Sequence, residues 1–423
     1  MKILLVSTSD RIGGAAIACY RIFKAMKNNG YDVSMLVRDK VSNEPGIYSV
    51  NTNGFQKLKN FIAFCAERMQ ILFNNGFNKK HLFEVSTGRF GVNLINNLLV
   101  KEADIINFHW VNQGMLSNRV LRKLTKQGKK FVFTMHDMYN FTGICHYTRN
   151  CENFKKGCGN CLFIHKGKKA DDLSKKIFNL KLNTPGRENF KFIACSKWLK
   201  NIAVTSKMMW EKNVIDIPNP IDTEVFKIQN KKAAKTAFGI TSKFAILFGA
   251  ANFNDERKGM NYLIEALKII YAHNPENEKI IQLVVFGKGK VNVLLNNQPF
   301  EVVTAGYIRD ESEMARLYAA ADIFISPSLE DNLPNTVMEA LATGTPCVGF
   351  NIGGLPELIK DGQNGYLAQP HNASHLAECI EKILFLEDKD RLSQNARNFV
   401  EENFSEPVVA MKYNNVFRAA VPV

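Results

Sequence analysis

The feature that most limits how this chain can fold is a rhythm. Short apolar runs alternate with stretches whose apolar residues recur at helical spacing, which is the pattern of strands and helices laid down in turn. Lys2–Ser7, Asp32–Val37, Asp104–Phe108, Lys130–Thr134 and Phe190–Cys195 read as strands, with helices at Ala15–Asn29 and Leu116–Gln127. The rhythm breaks at Asp216-Ile-Pro-Asn-Pro-Ile-Asp222, where two close prolines mark an extended crossing. It then restarts with strands at Phe244–Gly249, Ile281–Phe286, Ile323–Ser326 and Thr345–Phe350. Helices are expected at Met260–Ala272, Glu311–Ala321, Pro334–Ala342, Ala373–Leu386, Lys389–Asn403 and Glu406–Ala420. The reading is an α/β chain with two Rossmann-like domains, 1–215 and 223–403, joined by a 216–222 linker and separated by a cleft. Ligands of such sheets sit at the carboxyl ends of strands.

Composition narrows the class. With 423 residues, 46% hydrophobic and 22% charged, the chain is globular rather than disordered or fibrous. No run of about 18 uncharged apolar residues appears, and the opening Met-Lys-Ile-Leu-Leu-Val reads as a buried strand rather than a signal peptide. A cytoplasmic location is expected, with its nine cysteines reduced. The net charge is +15, and residues 1–200 hold 33 Lys+Arg against 13 Asp+Glu. The basic excess therefore belongs to the first half, where nucleic acid, a membrane surface or an anionic substrate could each account for it. The lysine-rich run Lys155–Lys181 has little aromatic interleaving, which argues against stacking on a single strand of nucleic acid.

The stretch Ser326–Pro346 carries the most chemistry. A strand ends, a polar loop follows, and Pro334 suits a first helical turn. Backbone N–H groups of Leu333, Pro334's neighbours Asn335 and Thr336, and the loop residue Asn332 would then offer an anion site. Glu339, one turn inside the helix, is placed to accept a vicinal diol such as that of a ribose, and Asp331 lies where a second polyhydroxyl group would fit. Taken alone, Glu339 reads as a capping or solvated helix residue, and the surrounding motif reverses that. Together the parts describe a nucleotide-sugar site.

This segment resembles the E-x7-E signature of the retaining family-4 glycosyltransferases, which have the two-domain GT-B fold. Gly13-Gly14 resembles the family's glycine turn, and Asn219-Pro-Ile-Asp222 its interdomain stretch. Arg257-Lys258-Gly259 resembles the diphosphate-binding element, Gly306-Tyr307-Ile308 the segment that holds the nucleobase, and Gly353-Gly-Leu-Pro-Glu357 the motif after the signature. The resemblance implies that the final segment, 404–423, crosses back onto the first domain. Two departures stand out: Asp331 occupies the first glutamate position with Glu330 beside it, so either carboxylate could meet the sugar, and Arg257 is adjacent to Lys258 rather than several residues ahead.

By the same resemblance, His136 is the active-site histidine, and His109 marks a second strand end, structural or acceptor-contacting. The implied reaction is transfer of a sugar from a UDP- or GDP-linked donor to a hydroxyl of a lipid-linked bacterial glycan, with retention. Arg257 and Lys258 would steady the departing diphosphate. No cofactor is expected for catalysis, since cations and helix amides would take the place of a divalent ion at such a site. Alternatives are another GT-B activity, such as a sugar-nucleotide epimerase, and a basic zinc-containing nucleic-acid binder.

Two features lie outside that site. Cys145, Cys151, Cys158 and Cys161 are spaced x5, x6 and x2, with His146 and His165 nearby. The set suits a structural tetrathiolate zinc site, packed free thiols or a redox pair. Lys57–Phe73 has apolar residues at helical spacing amid Lys57, Lys59, Arg68, Lys79 and Lys80. It is either a core-facing helix or an interfacial one resting on anionic lipid at the inner face of the plasma membrane.

Overall fold

The computed structural model describes residues 1–164, 169–250, 252–253, 255–289, 295 and 297–420. The chain divides into two compact units, Met1–Asn219 with Val409–Val423, and Pro220–Val408.

The first unit is built on seven strands, β1 (Ile3–Ser9), β2 (Val33–Asp39), β3 (Ile47–Ser49), β4 (Ile105–Phe108), β5 (Lys130–Met135), β6 (Lys191–Ala194) and β7 (Val214–Asp216). They form one parallel sheet in the order β3-β2-β1-β4-β5-β6-β7. Side chains alternate faces along a strand, so Leu4 and Val6 enter one apolar layer with Phe108 and Phe133. Ile3 and Leu5 enter the other, with Phe23 of the Gly14–Asn28 helix. That second layer also takes Val409, Tyr413 and Phe417 from the helix Glu406–Ala420, and Tyr413 and Phe417 have no exposed surface.

The second unit repeats the scheme with β8 (Phe244–Ala250), β9 (Ile281–Gly287), β10 (Glu301–Gly306), β11 (Ile323–Ser326), β12 (Cys347–Phe350) and β13 (Gly365–Ala368). Their order is β10-β9-β8-β11-β12-β13, again parallel. Ala245 and Leu247 pack on one side, Phe244, Ile246 and Phe248 on the other. Each sheet reverses its strand order once, between β1 and β4 and between β8 and β11, and such reversals open a crevice at the carboxyl ends. Near the ends of this unit the chain pairs with itself, as Ile221 N–H donates to the Phe404 carbonyl at 2.9 Å.

The structure adds elements that periodicity alone leaves out: β3, β7, β10 and β13, and the helices Leu173–Leu182, Lys197–Ala203 and Lys231–Ala237. Pro334 caps the following helix, Asn335–Ala342, from outside rather than sitting in its first turn.

Candidate active site

The reversal in the second sheet brings two loops together. The loop after β8 ends in a short 3-10 turn, Glu256–Lys258, closed by Gly259 in the left-handed region at φ 70°. The loop after β11 runs from Pro327 to Pro334. Leu329 N–H donates to the Arg257 carbonyl at 2.7 Å, and Lys258 Nζ meets Asp331 Oδ2 at 2.6 Å, across 73 residues of sequence. Gly259 is required here, since a Cβ would stand 1.8 Å from the Pro327 carbonyl oxygen. Gly353 works in the same way, because a Cβ there would lie 2.2 Å from the Asp331 carbonyl oxygen. Gly354 N–H donates to that oxygen at 3.1 Å.

The two cations already have carboxylate partners. Arg257 forks onto Asp255, with Nη2 to Oδ2 at 2.7 Å and Nε to Oδ1 at 3.1 Å, and Lys258 holds Asp331. Of the two adjacent carboxylates, Asp331 is the one paired with Lys258; its Oδ1 also accepts the Asn332 N–H at 3.0 Å. Asn332, Leu333 and Glu339 are buried, and Asn335 and Thr336 half-buried, at the start of the Asn335–Ala342 helix. Glu339 Oε2 accepts the buried Tyr318 hydroxyl at 2.9 Å. A buried carboxylate needs such donors, so one of its oxygens is turned to the protein rather than wholly to a ligand. Tyr307 and Ile308 follow β10 at the sheet's edge, and Tyr307 is exposed, with Lys288 Nζ 4.1 Å from its ring centre.

In the first unit, Gly13 precedes the Gly14–Asn28 helix at φ 92°, ψ 160°, a region reserved for glycine. The protein itself leaves space at that position, as a Cβ would meet nothing within 4 Å. The two strand-end histidines form a chain of hydrogen bonds. Thr134 Oγ1 donates to Asn107 Oδ1 at 3.1 Å, Asn107 Nδ2 lies 3.1 Å from His109 Nε2, His109 Nδ1 lies 3.0 Å from His136 Nε2, and His136 Nδ1 lies 3.3 Å from Cys195 Sγ. An amide nitrogen only donates, so His109 accepts at Nε2 and, being neutral, carries its proton on Nδ1. That proton faces His136 Nε2, which leaves the His136 proton on Nδ1 toward the sulfur. Burial holds both imidazoles neutral. His109 lies well below the usual range through burial and the neighbouring His136, and His136 is pushed down to about 4. Both ring nitrogens of His136 are thus engaged within its own unit. Asp137, next in sequence, takes the Trp110 indole N–H at 2.8 Å and the Tyr139 N–H at 2.9 Å.

Three partners escaped the sequence reading. Asp255 lies two positions before Arg257, where an Asp side chain can cap a turn. Tyr318 lies on a neighbouring helix with no motif around it. Cys195 is an apolar-face cysteine by its sequence setting, but its sulfur meets His136.

The structure brings the four cysteines of the zinc, packed-thiol or redox-pair readings together. Cys145, Cys151, Cys158 and Cys161 line one cavity of ≈ 20 Å³ with Ile144, Phe154 and Phe163, which holds about one water-sized sphere. Among the described residues, however, no three His, Cys, Asp or Glu side chains stand where they could hold a metal ion. The sulfurs are packed as thiols in an apolar pocket, and burial pushes Cys158 up to about 11 and Cys161 up to about 12. His146, near in sequence, bonds Ser86 Oγ through Nε2 at 3.0 Å, and His165 lies outside the described residues.

Comparisons with known proteins agree with this architecture. Residues 244–385 match the family model of glycosyl transferases group 1. An uncharacterized glycosyltransferase of Methanocaldococcus jannaschii is 28% identical over 55% of this chain and 61% of its own length. The chain thus spans little more than half of the curated relatives it matches, 61% and 54% for the first two. Among solved structures, a Rickettsia africae glycosyltransferase aligns over 100% of this chain and 99% of its own, with a TM-score of 0.66 at 17% identity. HepE of Anabaena, in complex with UDP-glucose, aligns over 99% of this chain and 100% of its own, with a TM-score of 0.64 at 15% identity. The fold is that of GT-B glycosyltransferases, and the second unit carries the group 1 domain.

Proposed function

We propose that this chain, a GT-B fold with a glycosyl transferases group 1 domain at residues 244–385, moves a sugar from a nucleotide-sugar donor to a hydroxyl of a growing, lipid-linked bacterial glycan, with retention at the anomeric carbon. The observation that carries the reading is the Lys258–Asp331 pair at 2.6 Å. It joins the two loops at the strand-order reversal of the second sheet, where such folds bind ligands. The ion pair keeps one cation and one carboxylate side by side, and a bound donor would divide it, the diphosphate taking the Lys258 ammonium and a sugar hydroxyl donating to Asp331. Arg257, released from or shared with Asp255, would add a second cation. Glu339, already oriented by Tyr318, would accept from the ribose. UDP-glucose in the HepE complex supports a UDP-linked donor.

In the reaction the bond between the anomeric carbon and the diphosphate oxygen breaks, and the electron pair leaves on that oxygen. The acceptor hydroxyl oxygen bonds the same face of the carbon, and its proton passes to the departing phosphate. The chain's part is to hold charge where it develops: Lys258 and Arg257 on the diphosphate, with the amides at the start of the Asn335–Ala342 helix beside them. No protein nucleophile and no metal enters this scheme. The reading gives the acceptor to the first unit, where the basic excess lies.

Isothermal titration calorimetry with UDP, GDP and their sugars tests the proposal. One nucleotide class should bind, and Glu339→Ala should weaken it by more than tenfold, about 1.4 kcal/mol or more, with the circular dichroism spectrum unchanged. Unchanged affinity in the variant, or no binding by any nucleotide, would refute the assignment. Product analysis of the anomeric configuration tests retention.

A further inference from the structure

The helix Gly54–Asn74 is turned inside out. Its buried residues are Asn60, Glu67, Arg68 and Ile71, three of them polar or charged, whereas Phe55, Leu58, Phe61, Ile62, Met69 and Phe73 are between 45% and 75% exposed. With 3.6 residues per turn, Phe55, Leu58, Ile62, Met69 and Phe73 share a stripe about 60° wide, with Phe61 beside it. Exposed Phe77 and Phe83 lie just beyond in sequence.

The rotation of the helix is fixed from its polar side. Glu67 accepts Thr87 N–H at 2.7 Å, Gly88 N–H at 2.9 Å and Arg68 Nη2 at 2.8 Å. Arg68 Nη1 donates to the Val85 carbonyl at 3.2 Å, and Asn60 Nδ2 to Asn51 Oδ1 at 2.7 Å. Rolling the phenylalanines inward would strand a buried ion pair and three backbone partners, which is far costlier than leaving apolar surface in water. The outward stripe is therefore a fixed surface, and soluble proteins rarely keep one of that kind without a partner.

Charge decides between partners. Glu67 is the helix's one acidic residue and is buried, while Lys57 and Lys59 on the helix and Lys79 and Lys80 after it are exposed. Residues 1–200 as a whole hold 33 basic and 13 acidic residues. Aromatic and aliphatic residues on a face rimmed by lysines suit the boundary between headgroups and acyl chains of a negatively charged bilayer. Among the described residues no helix is long and apolar enough to cross a membrane, so this one would lie in the surface. We infer that the outer face of the Gly54–Asn74 helix docks the protein on an anionic lipid bilayer. The inference stands on this helix and the basic residues around it, and is independent of the sugar-transfer reading.

Co-sedimentation of the whole protein with vesicles tests it. Phosphatidylglycerol-containing vesicles should bind more than about tenfold better than pure phosphatidylcholine ones, and added salt should weaken the binding. The triple variant Phe55→Ser, Phe61→Ser, Ile62→Ser alters exposed positions only, and should lose more than about tenfold in vesicle affinity. The reversal Lys57→Glu, Lys59→Glu, Lys79→Glu, Lys80→Glu should abolish the preference for anionic lipid. Nucleotide binding by calorimetry should stay unchanged in both, which separates this inference from the donor-site assignment. Absence of binding to anionic vesicles, or wild-type binding by the triple serine variant, overturns the inference. A dimer in sedimentation that the serine variant dissociates, without vesicle binding, would assign the face to a second copy of the chain and overturn it equally.

Discussion

Gly259→Ala probes how the donor-side loops are held together. The new methyl group would lie 1.8 Å from the Pro327 carbonyl oxygen, whereas ordinary carbon–oxygen contacts begin at about 3.3 Å. Either the Glu256–Lys258 turn or the loop after β11 must therefore move by more than about 1 Å. The left-handed φ of 70° adds a cost of about 1–2 kcal/mol for any residue with a Cβ, and forced overpacking adds about 1–3 kcal/mol. The total is about 2–5 kcal/mol. Gly239 supplies the control, being at φ 67° with nothing within 4 Å of a Cβ, so Gly239→Ala carries only the backbone part. The three tryptophans, Trp110, Trp198 and Trp210, all belong to the first unit. Their fluorescence reports that unit's unfolding in urea, and hydrogen exchange of β8 and β11 peptides reports the second. Gly259→Ala should leave the fluorescence midpoint in place, speed exchange in β8 and β11 well beyond Gly239→Ala, and weaken nucleotide binding. Equal exchange in the two variants would show that the close approach of the two loops is not what demands glycine.

Acid should weaken the first unit before carboxylates begin to titrate. With His136 held near 4 by burial against about 6.5 in the unfolded chain, its contribution is fully present above pH 6.5. It is lost as pH falls toward 4, by up to about 3 kcal/mol. The tryptophan midpoint in urea should drop between pH 6.5 and 5, and less so in His136→Gln; equal drops would refute the assignment to this ring. In the second unit, burial alone would raise the Asp322 carboxyl, but Lys231, Lys235 and the Ala245 N–H together hold it below the usual range. Its contribution should be present above about pH 4 and vanish as the carboxyl protonates below that. Asp322→Asn should destabilise the unit by about 3 kcal/mol, read as faster exchange in β8; unchanged exchange would mean that the pair contributes nothing.

The central strands were legible in the sequence because parallel strands covered on both faces are apolar without interruption, as in Ile105–Phe108 and Ile323–Ser326. The edge strands were not. β3, β10 and β13 are short or half exposed, so no apolar run announces them. At the site, sequence named Arg257, Lys258, Asp331 and Glu339 as chemical types, but their partners depend on packing. Lys258 finds Asp331 73 residues away, and Tyr318 reaches Glu339 from another helix. The Gly54–Asn74 helix shows a different limit. Its spacing declares an apolar stripe but not which way it faces, and only the buried Glu67–Arg68 pair settles that. The cysteine spacing was likewise compatible with a metal site, and whether the sulfurs turn toward one point is a matter of side-chain geometry that spacing does not contain.

The helix Glu406–Ala420 sets a schedule for biosynthesis. Tyr413 and Phe417 fill the core of the first unit, yet they are translated only after all of Pro220–Val408. At about 5–20 residues per second, the ribosome needs roughly 10–40 s to pass through that intervening segment. Throughout that interval the nascent first unit has its sheet but lacks one wall of its apolar layer, and Ile3, Leu5 and Phe23 await their last neighbours. The second unit, continuous in sequence, can close first, so the part of the chain made earliest is completed last, and a holding chaperone would find its binding surface there.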